Sequence, residues 1–528
     1  MSARRHLLQR SLALTALMLT SALPAFAEVQ KVRSDAADAQ RLSEEIDEHI
    51  ASLWEETKAV PSEPADDAEF LRRVHLHVGG CIPSISEVRT FLADRSPGKR
   101  ARVVEELLDG PGYVANFSLF WREVMLPEID SDFQFQRFRL GFELWLQEQL
   151  RENTSYDVLV RRILSSGSAL PNQRAQGSFL PVSSPRAFYQ VKQGKPENLA
   201  AATARTFLGV RIECAQCHHH PFDNWKQDQF WSLAAFFGGS STKDGERKIA
   251  IPETKREVVA LYLDGSAPEW SEQTDPRLTL ADWVTSHENP YFARAAVNRL
   301  WGHFFGVGIV DPVDDFSDLH PPSHPEILDR LAEEFVAHDY DLKFLIRAIT
   351  SSKTYQLSSR RTDPSQDDLR ILARMPIQGL TADQIYDSLS QATGMRQAVL
   401  PRNVVFFGGV DGRRTSFRAA FANASDAKTE RESTILQALA LMNGPFTTLA
   451  TDLRNSQTLT AVIQSPFFTT KERIETLYLA ALSREPRPDE LSRLVTYVDQ
   501  AGPGTNRQAA LADIFWALLN SSEFLLNH

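Results

Sequence analysis

Apolar residues along most of this chain recur at intervals of three and four, and that spacing commits it to helices. In Ala39–Glu56, Leu42, Ile46, Ile50 and Leu53 fall on one helical face. Ser84-Ile85-Ser86-Glu87 reads as a capping box ahead of Val88, Phe91 and Leu92. Ala101–Leu108, Phe142–Leu150, Tyr156–Leu164 and Asn198–Leu208 continue the pattern, and Asp223 is the expected N-cap of a helix over Trp225–Phe237. The second half repeats it in Leu278–Thr285, Tyr291–Phe305, Asp341–Ser351, Thr381–Thr393, Ser433–Met442, Lys471–Leu482, Pro488–Val498 and Asn506–Leu519. There Ser323-His324-Pro325-Glu326 reads as a second capping box with proline in the first turn. Strand signals are few. Glu257–Leu263 has a branched and aromatic bias closed by Asp264-Gly265, Val404–Phe407 precedes two glycines, and His75 and His77 alternate with Val74, Leu76 and Val78 as in a half-buried strand. No strand–helix alternation and no tandem repeat is present. The expected fold is mainly α: two associated helical domains, residues 36–239 and 277–526, joined by a short, partly β connection at 240–276.

The N-terminus predicts where such a chain works. Arg4, Arg5 and Arg10 precede an apolar run from Leu12 to Leu23, and Ala25-Phe26-Ala27 fits a signal-peptidase site. Residues 1–27 are therefore expected to be a secretory signal peptide, leaving a periplasmic or secreted protein that begins at Glu28. Arg4-Arg5-His6-Leu7-Leu8 partly matches a twin-arginine core, a route that exports folded chains. The apolar run is too short to span a bilayer, and no later stretch is long enough. The net charge of −11 becomes −14 once the leader's three arginines are removed, and no dense Lys/Arg stripe stands out, so nucleic acid is not an expected partner.

Chemistry concentrates at Cys214-Ala215-Gln216-Cys217-His218, a Cys-x-x-Cys-His sequence. Two thiols three positions apart lie about one helical turn from each other, so each can add to one vinyl group of a c-type haem, and the following imidazole can ligate the iron. Cys214 and Cys217 are then the attachment residues and His218 the ligand, with haem c as cofactor and a redox protein of the periplasm as partner. A second reading gives Cys214, Cys217, His218 and His220 to zinc or copper in a metal-dependent enzyme. A third is a structural disulfide or buried thiol pair in a non-catalytic, complex-forming surface protein. Helical rotation turns His220 about 200° from His218, so the two cannot serve one iron if helix runs through both. Candidates for a sixth iron ligand are Met125, Met375, Met395, Met442, His75, His77, His303 and His324, and an open position is equally compatible. Asp311, Asp314, Asp315, His320 and His324 share one loop region where a metal or a solvated acidic surface would fit. Arg294, Asn298 and Arg299 suit an anion or buried ion pairs. There is no G-x-S-x-G elbow, P-loop or dinucleotide-binding glycine motif.

Leu71-Arg72-Arg73-Val74, Ile82-Pro83 and Cys214 through Asp223 together resemble the planctomycete-type cytochrome-like domain. Asn289-Pro290-Tyr291-Phe292-Ala293-Arg294, Val297-Asn298-Arg299-Leu300-Trp301, Pro322-Ser323-His324-Pro325 and Leu439-Ala440-Leu441-Met442-Asn443-Gly444 resemble its companion C-terminal domain of unknown function. The resemblance implies a two-part, helical, exported protein with a haem site, a name that rests on the same five-residue motif. His75, His77, Gly80-Cys81 and His219 depart from the family's usual residues.

Overall fold

A computed structural model describes residues 35–168, 183–242, 245–254, 256–271, 274–395, 412–421, 452–502 and 504–528. The signal-peptide region, Val404–Phe407 and Ser433–Met442 lie outside them, as does Met442.

Helices dominate, as the periodicity predicts. α1 (residues 35–57) buries Leu42, Ile46 and Ile50. α2 (Asp67–Val74) widens at its end into a π turn, His75–Gly79, that closes on Gly80. The strand expected from the alternation at Val74–Val78 is therefore absent. His75, Leu76, His77 and Val78 are all buried, because helices pack on several sides of the turn and no solvent face exists for alternation to mark. α3 (Ile85–Ala93) carries the predicted capping box, with Ser84 Oγ accepting from the Glu87 amide at 3.3 Å and Glu87 Oε2 accepting from the Ser84 amide at 2.7 Å. α4 (Lys99–Leu108), α5 (Pro111–Met125), α6 (Arg139–Arg151), α7 (Tyr156–Ser165) and α8 (Pro196–Thr203) follow.

α9 (Gln227–Gly238) starts later than expected. Asp223 caps the amide of its own neighbour Asn224, while the helix is opened at Lys226, whose amide donates to Gln229 Oε1. Three antiparallel strands come next: β1 (Ser240–Ser241), β2 (Arg247–Ala250) and β3 (Glu257–Val259), with Lys248 opposite both Ser240 and Val259. The β content of the connection is real but brief.

α10 (Pro276–Val284), α11 (Phe292–Phe305), α12 (Pro325–Ala337) and α13 (Leu342–Ser351) form the next group. The capping box expected at Ser323 is not made. His324 occupies the N-cap without a side-chain bond, and Ser323 Oγ donates to the Ile309 carbonyl instead. β4 (Gln378–Gly379), α14 (Ala382–Thr393), α15 (Gly412–Phe421), α16 (Gln457–Gln464), α17 (Thr470–Leu482), α18 (Pro488–Gln500), α19 (Thr505–Leu519), α20 (Ser522–Leu525) and β5 (Leu526–Asn527) complete the described chain. β4 pairs with β5, which returns the C-terminus to the middle of the fold.

The buried apolar side chains form two clusters. The larger runs from Ala39 to Met375 and adds Leu479, so it takes in residues from both sides of the β connection. The smaller is built from residues 380–524 and adds Leu76 and Ile82. Fully burying a side chain such as Phe, Leu or Ile is worth about 1.5–3 kcal/mol, so each cluster is a core in its own right.

Candidate functional site

α8 passes through a second π turn, Ala204–Leu208, and stops at Gly209 in the left-handed region, φ +71°. Buried Val210 and Ile212 then lead into a 3-10 turn, Glu213–Gln216. Ala215 is fully buried and pins this turn, its amide donating to the Ile212 carbonyl at 2.9 Å. α9 holds the turn from beneath. Gln227 Nε2 donates to the carbonyls of Gln216 (3.3 Å) and Cys217 (2.9 Å), and the Trp231 indole donates to Gln216 O at 2.9 Å. With its backbone satisfied from inside, the turn presents Cys214, Cys217 and His218 to solvent. Both thiols are free and exposed, so the reading of a buried thiol pair is overturned.

The helix does not continue through His220, so rotation about a helix axis is not what separates the histidines. Hydrogen bonding separates them instead. His218 Nδ1 lies 2.7 Å from the His219 carbonyl, which can only accept; the ring proton is then on Nδ1, and Nε2 carries an outward lone pair. His219 Nδ1 accepts from the Gln227 amide at 3.1 Å, and His220 Nδ1 accepts from the Phe222 amide at 3.3 Å. In each of these neutral rings the proton must be on Nε2. Of the three adjacent imidazoles, His218 is the one set to ligate through Nε2. A ring N–H donated to a backbone carbonyl is the usual support of a metal-bound histidine. Among the described residues no group of three or more His, Cys, Asp or Glu side chains is assembled to hold a metal ion.

Residues 311–322, between α11 and α12, clamp both flanks of the motif. The Phe316 amide donates to Gly209 O at 2.8 Å, and Asn224 Nδ2 donates to Asp318 Oδ2 at 3.2 Å. Asp314 accepts from Arg205 Nε at 2.7 Å and from Arg211 Nη2 at 2.6 Å, while Arg299 ties Arg205 from below through its carbonyl at 2.7 Å. Burial pushes the Asp314 carboxyl up, but the charges of Arg299, Arg205 and Arg211 outweigh it and hold the pKa at about 2. Burial raises the neighbouring Glu213 carboxyl above its ordinary value.

The close approach at Gly209 gives a direct test. A Cβ there would sit 2.8 Å from the Phe316 ring in a backbone conformation that disfavours side chains. Gly209→Ala should cost about 2–3 kcal/mol from strain plus overpacking. Gly265→Ala, at φ +85° with open space around its Cβ, should cost only about 1 kcal/mol. Urea midpoints of the two variants measure the difference, and equal losses would show that the Phe316 contact carries no weight.

The other predicted ligands lie elsewhere. Met125 and Met375 are core residues, and Met395 packs against the smaller cluster. His77 is buried with Nδ1 2.9 Å from the Tyr355 hydroxyl, and His303 Nε2 contacts the His77 carbonyl at 2.9 Å between the rings of Phe117 and Phe120. Burial, only partly offset by Glu87, takes His75 down to about 4, which makes it neutral at ordinary pH. His324 is buried against the Arg370 carbonyl at 2.7 Å. Arg294 pairs with Asp329, and Asn298 brackets Val310 through its side-chain amide, so this helix face makes internal bonds. The clamp at Asp314 and two exposed apolar side chains beside the site, Phe222 (77% exposed) and Leu319 (60%), are features that sequence reasoning missed.

The fold is mainly helical and displays the Cys-x-x-Cys-His turn at its surface. Residues 45–242 match the family PSCyt2, "Protein of unknown function (DUF1549)", and residues 276–406 and 410–498 match PSD1, "Protein of unknown function (DUF1553)". The chain belongs to the proteins that join these two domains, as its resemblance implied. No curated protein and no solved structure matches it. No helix among the described residues is long and apolar enough to cross a membrane.

Proposed function

We propose that this chain is an exported redox protein carrying one c-type haem. Cys214 and Cys217 would hold the group through thioethers, each S–H adding across one vinyl double bond, and His218 Nε2 would ligate the iron. The observation that carries the reading is the donor set itself: two free, exposed thiols one turn apart, followed by an imidazole whose Nδ1–H is already spent on a carbonyl. Bound haem supplies one-electron transfer. The protein's part is to hold the turn rigid from α9, to fix the His218 tautomer through the His219 carbonyl, and to keep the motif at the surface, where a periplasmic redox partner can approach. Removal of residues 1–27 after export belongs to the same reading.

Expression with a periplasmic haem-attachment system tests it. The purified chain, denatured in pyridine and alkali, should retain a haemochrome band at one haem per chain, and Cys214→Ser with Cys217→Ser should abolish it. A chain that takes up no covalent haem but binds stoichiometric zinc or copper would establish the metal-dependent alternative. A chain that binds neither would be a structural or complex-forming protein.

A further inference from the structure

Resting on the haem reading, we propose that His320 supplies the second axial ligand, so that the cofactor is held between the motif and the 311–322 loop of the second family region. The two segments are fixed side by side at three places. Gly209 meets Phe316, Arg211 meets Asp314, and Asn224 meets Asp318. These contacts bracket residues 213–222, and His320 follows Asp318 by two residues in the same loop.

The His320 ring, like that of His218, is engaged at Nδ1. Its Nδ1 lies 3.3 Å from Asp315 Oδ2 and 3.2 Å from Ser317 Oγ. Both contacts are made at Nδ1, which leaves Nε2 as the nitrogen that can ligate, and a carboxylate behind an imidazole increases its basicity as a ligand. The side chain is one-third exposed, unlike the buried His75, His77 and His324. His219 and His220 are excluded by their tautomers, since both accept a backbone N–H at Nδ1.

A second observation points to an apolar ligand in the same place. Phe222 and Leu319 rank behind only Phe467 among the exposed large apolar side chains of the described residues. They come from the two facing segments, each within two residues of the Asn224–Asp318 hydrogen bond. Two solvated hydrophobes carried on segments that are tied together gain from an apolar group bound between those segments.

Spectroscopy of the haem-loaded full chain tests the assignment. The ferric wild type should be six-coordinate and low-spin, with the electron paramagnetic resonance of two histidine ligands. His320→Ala should become five-coordinate and high-spin while keeping its covalent haem, and added imidazole should restore the low-spin signal. His320→Met should remain folded and show a sulfur-to-iron charge-transfer band, which covers the case in which the alanine variant is unstable. His220→Ala should leave the spectrum unchanged. A low-spin spectrum unaltered in His320→Ala, or a high-spin wild type, would overturn the proposal alone. Absence of the pyridine haemochrome band from the wild type would overturn the haem reading and this one with it.

Discussion

Asp314→Asn is expected to lower the unfolding free energy by about 2–3 kcal/mol at pH 7, less than the loss from a fully buried ion pair because Arg205 and Arg211 are both partly exposed. Arg299 is 7% exposed and Asp314 is 8% exposed, so neither can turn to water for compensation. Without the carboxylate, Arg205, Arg211 and Arg299 are left as three like charges around one point. The wild type should also show an acid dependence that the variant lacks. A carboxyl at about 2 in the folded chain, below its ordinary 3.8, contributes stability that is fully present above pH 4. That contribution disappears as pH falls from 4 to 2, and it amounts to about 2 kcal/mol. Urea denaturation at pH 7, 4 and 3 measures both effects. Equal stability of the two proteins at pH 7, or an unchanged acid slope in the variant, would show that the clamp does not hold the motif's flank.

That clamp marks the boundary of what the sequence makes legible. Helices whose signal is local were readable: the box at Ser84/Glu87 forms because its partners are three residues apart in one continuous stretch of backbone. The same pattern misled at Asp223 and Ser323, where the chain does not turn into helix at the capping residue. α5 escaped notice for a different reason. Of its fifteen residues only Pro111 and Ala115 are exposed, so it has no polar face to give the apolar spacing a phase. At the site, Cys214, Cys217 and His218 were visible as a motif. The tautomers of His218, His219 and His220 were not, because they depend on which backbone group meets each Nδ1. Nor could a sequence of one chain join Arg205 to Asp314, 109 positions apart.

Arg72→Met should remove about 3 kcal/mol and uncouple the two cores. Arg72 is 1% exposed, and its guanidinium spans the ends of two helices, donating to Ala481 O at 3.1 Å in α17 and to Glu523 O (3.2 Å) and Phe524 O (2.8 Å) in α20. Carbonyls in a helix's last turn lack intrahelical partners and carry the negative end of its dipole, so a cation is the fitting cap. Leaving three buried acceptors unpaired costs about 1–3 kcal/mol each. Part of that is offset, because burial, against the charge of Glu523, pulls the Arg72 pKa down to about 10, and methionine has no such charge to desolvate. The neighbours of Arg72 on α2, Phe70, Leu71 and Val74, belong to the larger cluster, whereas Ala481 and Phe524 belong to the smaller. Hydrogen exchange should therefore accelerate in α17, α19 and α20 while α11 stays protected. Arg72→Lys should recover little, since a single ammonium cannot reproduce the planar fork that reaches both helix ends. Uniform acceleration across α11 and α17 would mean that the cores unfold as one and that Arg72 is not their coupling.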